Sequence, residues 1–185
     1  MVKMNKVKVK CGAKQLYTDI LEDENGKYIK YPLSGKLSNN SFTLVDLEDH
    51  SDLPFCSITL TEEGYARFKN NGKQTRLQRY IMRNHAIDGK EIDNIDGDRL
   101  NNRKINLRCV TTQQNQMNKS KMKDASNKYK GVYYVDSKYR AVLVSKGKKY
   151  SIGYYKTEES AARAYNEKCL EICGEYGRLN IIEEK

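Results

Sequence analysis

Through the first third of the chain, apolar and polar residues alternate in short runs, the period-two signature of half-buried strands. Gln15–Leu21 and Lys27–Tyr31 flank Asn25-Gly26, while Tyr65–Phe68 and Gln74–Leu77 flank Asn71-Gly72. Asn-Gly centres a two-residue turn because both residues accept positive φ, so two tight hairpins are predicted. Leu77–Arg83 then reads as a short helix that stops before the turn-rich NHAIDGK. From Lys90 a short strand (EID), a polar loop, a second strand (LRCVT) and a helix starting near Thr111/Thr112 are expected. Beyond Asn127 the alternation resumes, with Lys146-Gly147-Lys148 as a turn. Thr157 is a candidate N-cap, followed by Glu158 and Glu159 at the positive end of a helix dipole. Ala161, Tyr165, Cys169 and Ile172 recur at helical spacing, and Gly174 can end that helix. The class is α+β: a β-rich leader, a ββα unit, and a C-terminal three-stranded antiparallel sheet with one helix.

Length narrows this to one domain or two small ones, since 185 residues leave little core for a large-pocket enzyme. No stretch approaches the ~18 apolar residues of a membrane span. The start, MVKMNKVKVK, lacks the apolar run of a secretory signal. A cytoplasmic protein follows, one without membrane contact. Five cysteines, Cys11, Cys56, Cys109, Cys169 and Cys173, form no CxxC pair. They read as reduced, mostly buried thiols rather than a disulfide framework or zinc ribbon. Only two histidines, His50 and His85, exclude any site of three imidazoles.

The net charge is +10, and its position matters more than its size. Between Lys119 and Lys156 stand ten lysines and one arginine against Asp124 and Asp136, a net +9 within 38 residues. Seven tyrosines interleave them, a mixture suited to a polyanion surface.

Phosphodiester cleavage with one hard metal ion needs a few oxygen ligands, a base for water, and a rigid frame. The stretch from Asp93 to Asn118 offers that layout, with Asp93 ending a strand and Asn115 and Asn118 at i, i+3 on the following helix. Strand, loop, strand and helix would bring Asp93 and Asn115 together. An EF-hand is excluded: with Gly97 sixth, loop positions one, three and five are Ile92, Asn94 and Asp96.

LQRYIM followed by IDNIDGDRLNNRKINLRCVTTQQNQMNK resembles the HNH segment of phage and bacterial homing endonucleases, whose pattern runs roughly LHRLIM, then VDHINGDxxDNRxxNLRxxTxxxNxxN. FTLVDLEDHSDL and GYARF resemble the leader of such proteins. KYKGVYY through RLN resembles the appended DNA-binding domain of the plant Apetala-two (ethylene-response-factor) type. The resemblance implies four segments: an N-terminal β-hairpin region over 1–40, an HNH-endonuclease-like domain over 41–118, a basic connector over 119–127, and an Apetala-two-like domain over 128–181. Carried over by position, it puts the metal-binding acid on Asp93 and the metal-binding amide on Asn115, for Mg²⁺ or Mn²⁺, with no other small-molecule cofactor. The loop-structuring asparagine falls on Asn106.

The catalytic histidine falls on Asn94. Imidazole takes a proton from water near neutral pH and an amide does not, and general-base help is worth ~10²–10⁴-fold. Gln78 likewise stands where the family has the histidine of LHR. His85 precedes Asn94 by nine residues and reads as an exposed loop residue, and His50 in DLEDHSD reads as a surface residue. The metal half of a nuclease is thus expected without its base.

In the resembled C-terminal domain a three-stranded sheet enters the major groove and the helix packs behind it. Position matching sets Lys130 and Tyr133 from the first strand, Arg140 from the second, and Lys149 and Ser151 from the third against DNA. Along the second strand Arg140, Val142 and Val144 share one face, while Tyr139, Ala141 and Leu143 share the other. Lys130 replaces the family's arginine before Gly-Val, which favours phosphate contact over base reading. The leading expectation is a monomeric, double-stranded DNA-binding protein of the HNH homing-endonuclease type, with metal-dependent cleavage weak or lost. It would be nucleoid-associated, in the host cytoplasm if phage-encoded. A DNA-binding regulator derived from a disarmed nuclease, without catalysis, and an RNA-binding basic domain stay open beside it.

Overall fold

The computed structural model of the chain describes residues 6–119 and 127–183. Most of the expected connector, residues 120–126, therefore lies outside the described residues. Two units are present, divided between Cys109 and Val110, and each is described by itself. The class is α+β.

The first unit is built on a seven-stranded sheet. β1 (Lys6–Cys11), β2 (Lys14–Asp23) and β3 (Gly26–Ser34) are followed by β4 (Phe42–Asp46), helix α1 (Leu47–Asp52), β5 (Ile58–Leu60), β6 (Ala66–Asn70) and β7 (Lys73–Arg76). The path runs β1-β2-β3-β5-β6-β7, with β4 paired to β3 and β3 to β5 parallel. Alternation decides the core: Val9, Ile29, Tyr31, Leu33, Val45, Ile58, Ala66 and Phe68 point inward and are buried. Helix α2 (Leu77–Ile81) adds Leu77 and Ile81 to it.

The two Asn-Gly signals resolve differently. Asn71 and Gly72 both take positive φ between Asn70 and Lys73, as a two-residue hairpin turn requires. In the first hairpin Asp23 pairs with Gly26, so Glu24 and Asn25 are the turn and of the Asn25-Gly26 pair only the glycine has positive φ. The Asp23 carboxylate accepts the Asn25 backbone N–H at 2.9 Å, holding the turn one residue earlier than the dipeptide suggests. His50 also departs from expectation. Its ring packs edge-on to Tyr31 at 5.9 Å, and burial holds the imidazole below its usual range. His85 is exposed.

The second unit contains helix α3 (Thr112–Asn118), the antiparallel sheet β10 (Val132–Val135), β11 (Lys138–Ser145) and β12 (Lys148–Tyr155), and helix α4 (Glu158–Cys173). Thr111 and Gln114 form a reciprocal capping box on α3, and Thr157 caps α4 by accepting the Ser160 N–H. Asp136-Ser137 and Lys146-Gly147 close the two hairpins with positive φ throughout. Helix α4 buries Ala161, Ala162, Tyr165, Cys169 and Cys173 against Tyr129, Val132, Ala141 and Leu143. Gly131 must be glycine: its φ is +73° and an added Cβ would strike the Tyr165 ring and the Val142 carbonyl. The five cysteines are free, but only Cys169 and Cys173 are buried. No helix among the described residues is long and apolar enough to cross a membrane.

Candidate functional site

In the first unit a two-stranded sheet is formed by β8 (Glu91–Asn94) and β9 (Leu107–Val110), which ends at the boundary. The polar loop between them is held by asparagine and aspartate side chains rather than by apolar packing. Asn106 is its hub. Its Nδ2 donates to the Asp96 carboxylate and to the Asn101 carbonyl, each at 2.8 Å, while its Oδ1 accepts the Asp96 N–H at 2.9 Å. Asn101 Nδ2 reaches the other Asp96 oxygen at 2.7 Å. Asp98 and Leu100 hang their N–H groups on Asp96 and Asp98 carboxylates. Such Asx turns satisfy backbone donors that no ladder reaches.

The loop is fastened to the large sheet behind it. Asn102, fully buried, donates to Thr43 Oγ1 at 2.8 Å and takes its backbone N–H to Leu44. Arg103 is sealed between Asp46 (Nε, 2.7 Å) and Asp23 and lies over the Tyr28 ring. The Arg103 hydrogen bond holds the exposed Asp23 carboxyl below its usual value, with the Asn25 N–H adding to it. Lys104 pairs with Glu48 and Asp49.

Asp93 and Asn94 end β8, 7% and 4% exposed. Asp93 Oδ2 accepts Nε and Nη2 of Arg108 at 3.0 and 2.9 Å. Arg108, on β9, was visible in the sequence only as part of NLR, and nothing there assigned it to the acid. Asn94 Nδ2 donates to the Asn101 carbonyl at 2.9 Å, so two asparagines, Asn94 and Asn106, share that one acceptor. Asp93, Asn94 and Asn106 are therefore gathered in one unit on one frame. Asn115 lies on α3 in the other unit, at i, i+3 from Asn118.

The donor types suit a hard cation, which binds oxygen and keeps several of its waters. One carboxylate oxygen of Asp93 is already committed to a guanidinium, so a cation there shares or displaces Arg108. Among the described residues no cluster of three His, Cys, Asp or Glu could hold a metal.

In the second unit, cross-strand register puts Tyr133, Arg140 and Tyr154 in one row, Val142 opposite Ser151, and Val144 opposite Lys149. Tyr133, Val144 and Tyr154 are exposed, on the face away from α4, and Lys149 and Ser151 are exposed beside them. Arg140 reaches Ser151 Oγ at 3.4 Å and lies near the Tyr154 ring. A bulge between Ala141 and Val142 breaks the simple alternation, and Val142 is buried. Lys130 is placed differently from these. Its ammonium turns inward to the Met117 carbonyl at 3.0 Å, and burial pushes it below the usual lysine range. The Lys130 backbone is clamped on both sides by Asn180, which Asn166 of α4 holds in turn. Asn180 is the last residue of RLN, and its clamping role depends on a partner 50 residues away.

A family model described as HNH endonuclease matches residues 78–117, which span α2, β8, the asparagine loop, β9 and most of α3. An uncharacterized HNH endonuclease of Acanthamoeba polyphaga mimivirus is 34% identical over 161 residues, covering 84% of this chain and 82% of its own length. No solved structure matches the chain. With a similarity that runs through both units and a family match centred on the asparagine-bound loop, the chain belongs to the HNH endonuclease family, a family of nuclease-type proteins with DNA as partner.

Proposed function

We propose that this protein binds double-stranded DNA as a homing-endonuclease-type member of its family, and that its phosphodiester cleavage is weak or lost. One observation carries this: the amide of Asn94, at the position of the family's catalytic histidine, is spent as a donor to the Asn101 carbonyl. It has no basicity near neutral pH, and without general-base help the reaction loses ~10²–10⁴-fold.

By the resemblance, Asp93 would hold the divalent ion, Mg²⁺ or Mn²⁺, and Asn115 stands at the position of the family's amide ligand. When bound, that ion supplies charge stabilisation to the scissile phosphate and the leaving oxygen. The chain's own residues do the rest. Asn106 keeps the loop rigid, Arg108 balances the Asp93 carboxylate, and Asn94 orients without taking a proton.

The C-terminal module, about 128–181, reads as an Apetala-two-like domain that lays its exposed sheet face in the major groove; in sequence it follows an HNH domain of about 41–118 and a basic connector. Tyr133, Arg140, Lys149 and Ser151 are suited to contact DNA there. Lys130 serves this surface by fixing the start of the sheet, its ammonium being engaged at Met117. With one arginine among these residues, phosphate contact outweighs base reading, so affinity exceeds selectivity. The protein acts as a monomer.

The alternative, favoured by the same Asn94, is a DNA-binding regulator with no catalysis. Supercoiled plasmid incubated with Mg²⁺ or Mn²⁺ separates the two. Nicking by the native protein that is lost in Asp93→Ala supports residual enzyme activity. Nicking seen only in Asn94→His supports the disarmed regulator.

A further inference from the structure

We propose that the outer face of the β6–β7 hairpin is a second phosphate-binding surface, which grips duplex DNA beside the asparagine loop through Arg67, Arg76 and Arg79. The proposal rests on the reading of the chain as a double-stranded DNA binder, and adds a site in the first unit to the one argued for the C-terminal sheet.

The average charge hides this surface. Between Gly64 and Ile87 there are six basic residues, Arg67, Lys69, Lys73, Arg76, Arg79 and Arg83, and no acid. The ladder then concentrates them. Phe68 and Ala66 face the core, so Arg67 and Lys69 face outward from β6, and Gln74 and Arg76 face outward from β7. Register sets Arg67 directly opposite Arg76, and Lys69 opposite Gln74. Like charges directly across a ladder are destabilising, and opposite charges or aromatic pairs would be the stabilising choice. Among the described residues no salt bridge engages Arg67, Lys69, Arg76 or Arg79. The register thus sets up a repulsion that the Tyr65 ring and the nearby Glu63 offset only in part and that an anion relieves.

Arg76 is also held in place, and Arg99 beside it. The Arg76 and Arg99 guanidinium groups lie 4.3 and 4.7 Å from the Tyr65 ring centroid, and Arg99 donates to the Glu63 carbonyl. Arg76 and Arg79 line a shallow cavity with Gln74 and Thr75, donors of the kind that receive phosphate oxygens. Glu63 feels this field: after the Thr61 hydrogen bond and its own backbone N–H, Arg76 and Arg67 help hold its carboxyl below the usual value. A row of cations along two strands fits a repeating polyanion better than one small anion. Arg99 sits in the loop between Asp93 and Asn106, so this hairpin and that loop are tied together. DNA held on the hairpin is held next to that loop.

The test uses the full chain and a fluorescently labelled random-sequence DNA duplex, with anisotropy titrations over a range of salt. The triple variant Arg67→Gln/Arg76→Gln/Arg79→Gln should lose roughly 10- to 100-fold in affinity, and its log–log salt slope should fall by about 3, near 0.9 per phosphate contact removed. Its thermal midpoint should stay near native, the repulsion removed offsetting the Arg76 stacking lost on Tyr65; the single Arg67→Gln serves if the triple variant fails to fold. A native slope in the folded variant, with native DNA binding intact, overturns the hairpin site and leaves DNA binding itself standing. Salt-dependent binding that responds only to Arg140→Ala/Lys149→Ala overturns it in the same way. No duplex binding by the native protein overturns both readings. Tighter, arginine-dependent binding to an RNA duplex or to anionic vesicles overturns the DNA assignment.

Discussion

Restoring a histidine at Asn94 puts the largest demand on the reasoning. Asn94 is 4% exposed at the end of β8, and its Nδ2 donates to Asn101 O at 2.9 Å. In Asn94→His the imidazole Nδ1 takes nearly the same position on its Cγ as the amide nitrogen. Nδ1–H can therefore keep the bond to Asn101, which selects the tautomer whose Nε2 is an acceptor. A carbonyl that now fixes an inert amide would then orient a base. The gain is ~10²–10⁴-fold in cleavage, about 3–5 kcal/mol off the barrier. The larger ring costs about 1–3 kcal/mol of stability in a tightly packed position. The assay is nicking of supercoiled plasmid in Mg²⁺ or Mn²⁺ across pH. The variant's rate should rise with pH as the imidazole loses its proton and then level off, a feature the native protein lacks. If Asn94→His binds duplex as the native protein does yet nicks no faster, the assignment of position 94 to the base is wrong. It is equally wrong if the native protein nicks as fast as the variant.

Other outcomes follow from single contacts. Asn106→Ala leaves Asp96 N without its partner and takes one of two donors from each of Asp96 Oδ1 and Asn101 O; a loss of about 1–3 kcal/mol, seen as a lowered thermal midpoint, is expected by calorimetry. Gly131→Ala forces a methyl into Tyr165 and the Val142 carbonyl at a φ that disfavours alanine, so the second unit should lose more than about 4 kcal/mol, read by near-ultraviolet circular dichroism. Burial lowers the His50 pKa in the folded state. The unfolded chain therefore binds that proton first, and the contribution is complete above about pH 6.5 and lost as pH falls through that value toward the folded pKa. Thermal midpoints of native protein should fall from pH 7 toward pH 5 more steeply than those of His50→Gln, and parallel curves would count against a buried neutral imidazole.

Much of the site was legible because it is local. Asp93, Asn94 and Asn106 lie within 14 residues, and Asx-rich turns, an Asn71-Gly72 hairpin and a Thr111–Gln114 capping box are written in short runs whose geometry depends on neighbours in the chain. The same holds for α4, where Thr157, the apolar spacing and Gly174 mark its ends.

What needed the tertiary structure is whatever turns on a partner far along the chain. Lys130 looks like a surface cation in sequence, yet it is turned inward by a helix-end carbonyl 13 residues earlier and clamped by Asn180, 50 residues later. His50, in an acidic run, packs beside Tyr31 because α1 folds back on the sheet. Arg108 meets Asp93 only when β9 returns beside β8. The Arg67–Arg76 repulsion exists only once strand register sets the two opposite each other, so a count of charges along the chain could not reveal it. Residue type and local spacing were enough to point to the HNH family and to set Asn94 at the position the proposal turns on. Register and burial decided which charges remain at the surface, because the work each charge can do is set by the groups the fold brings against it.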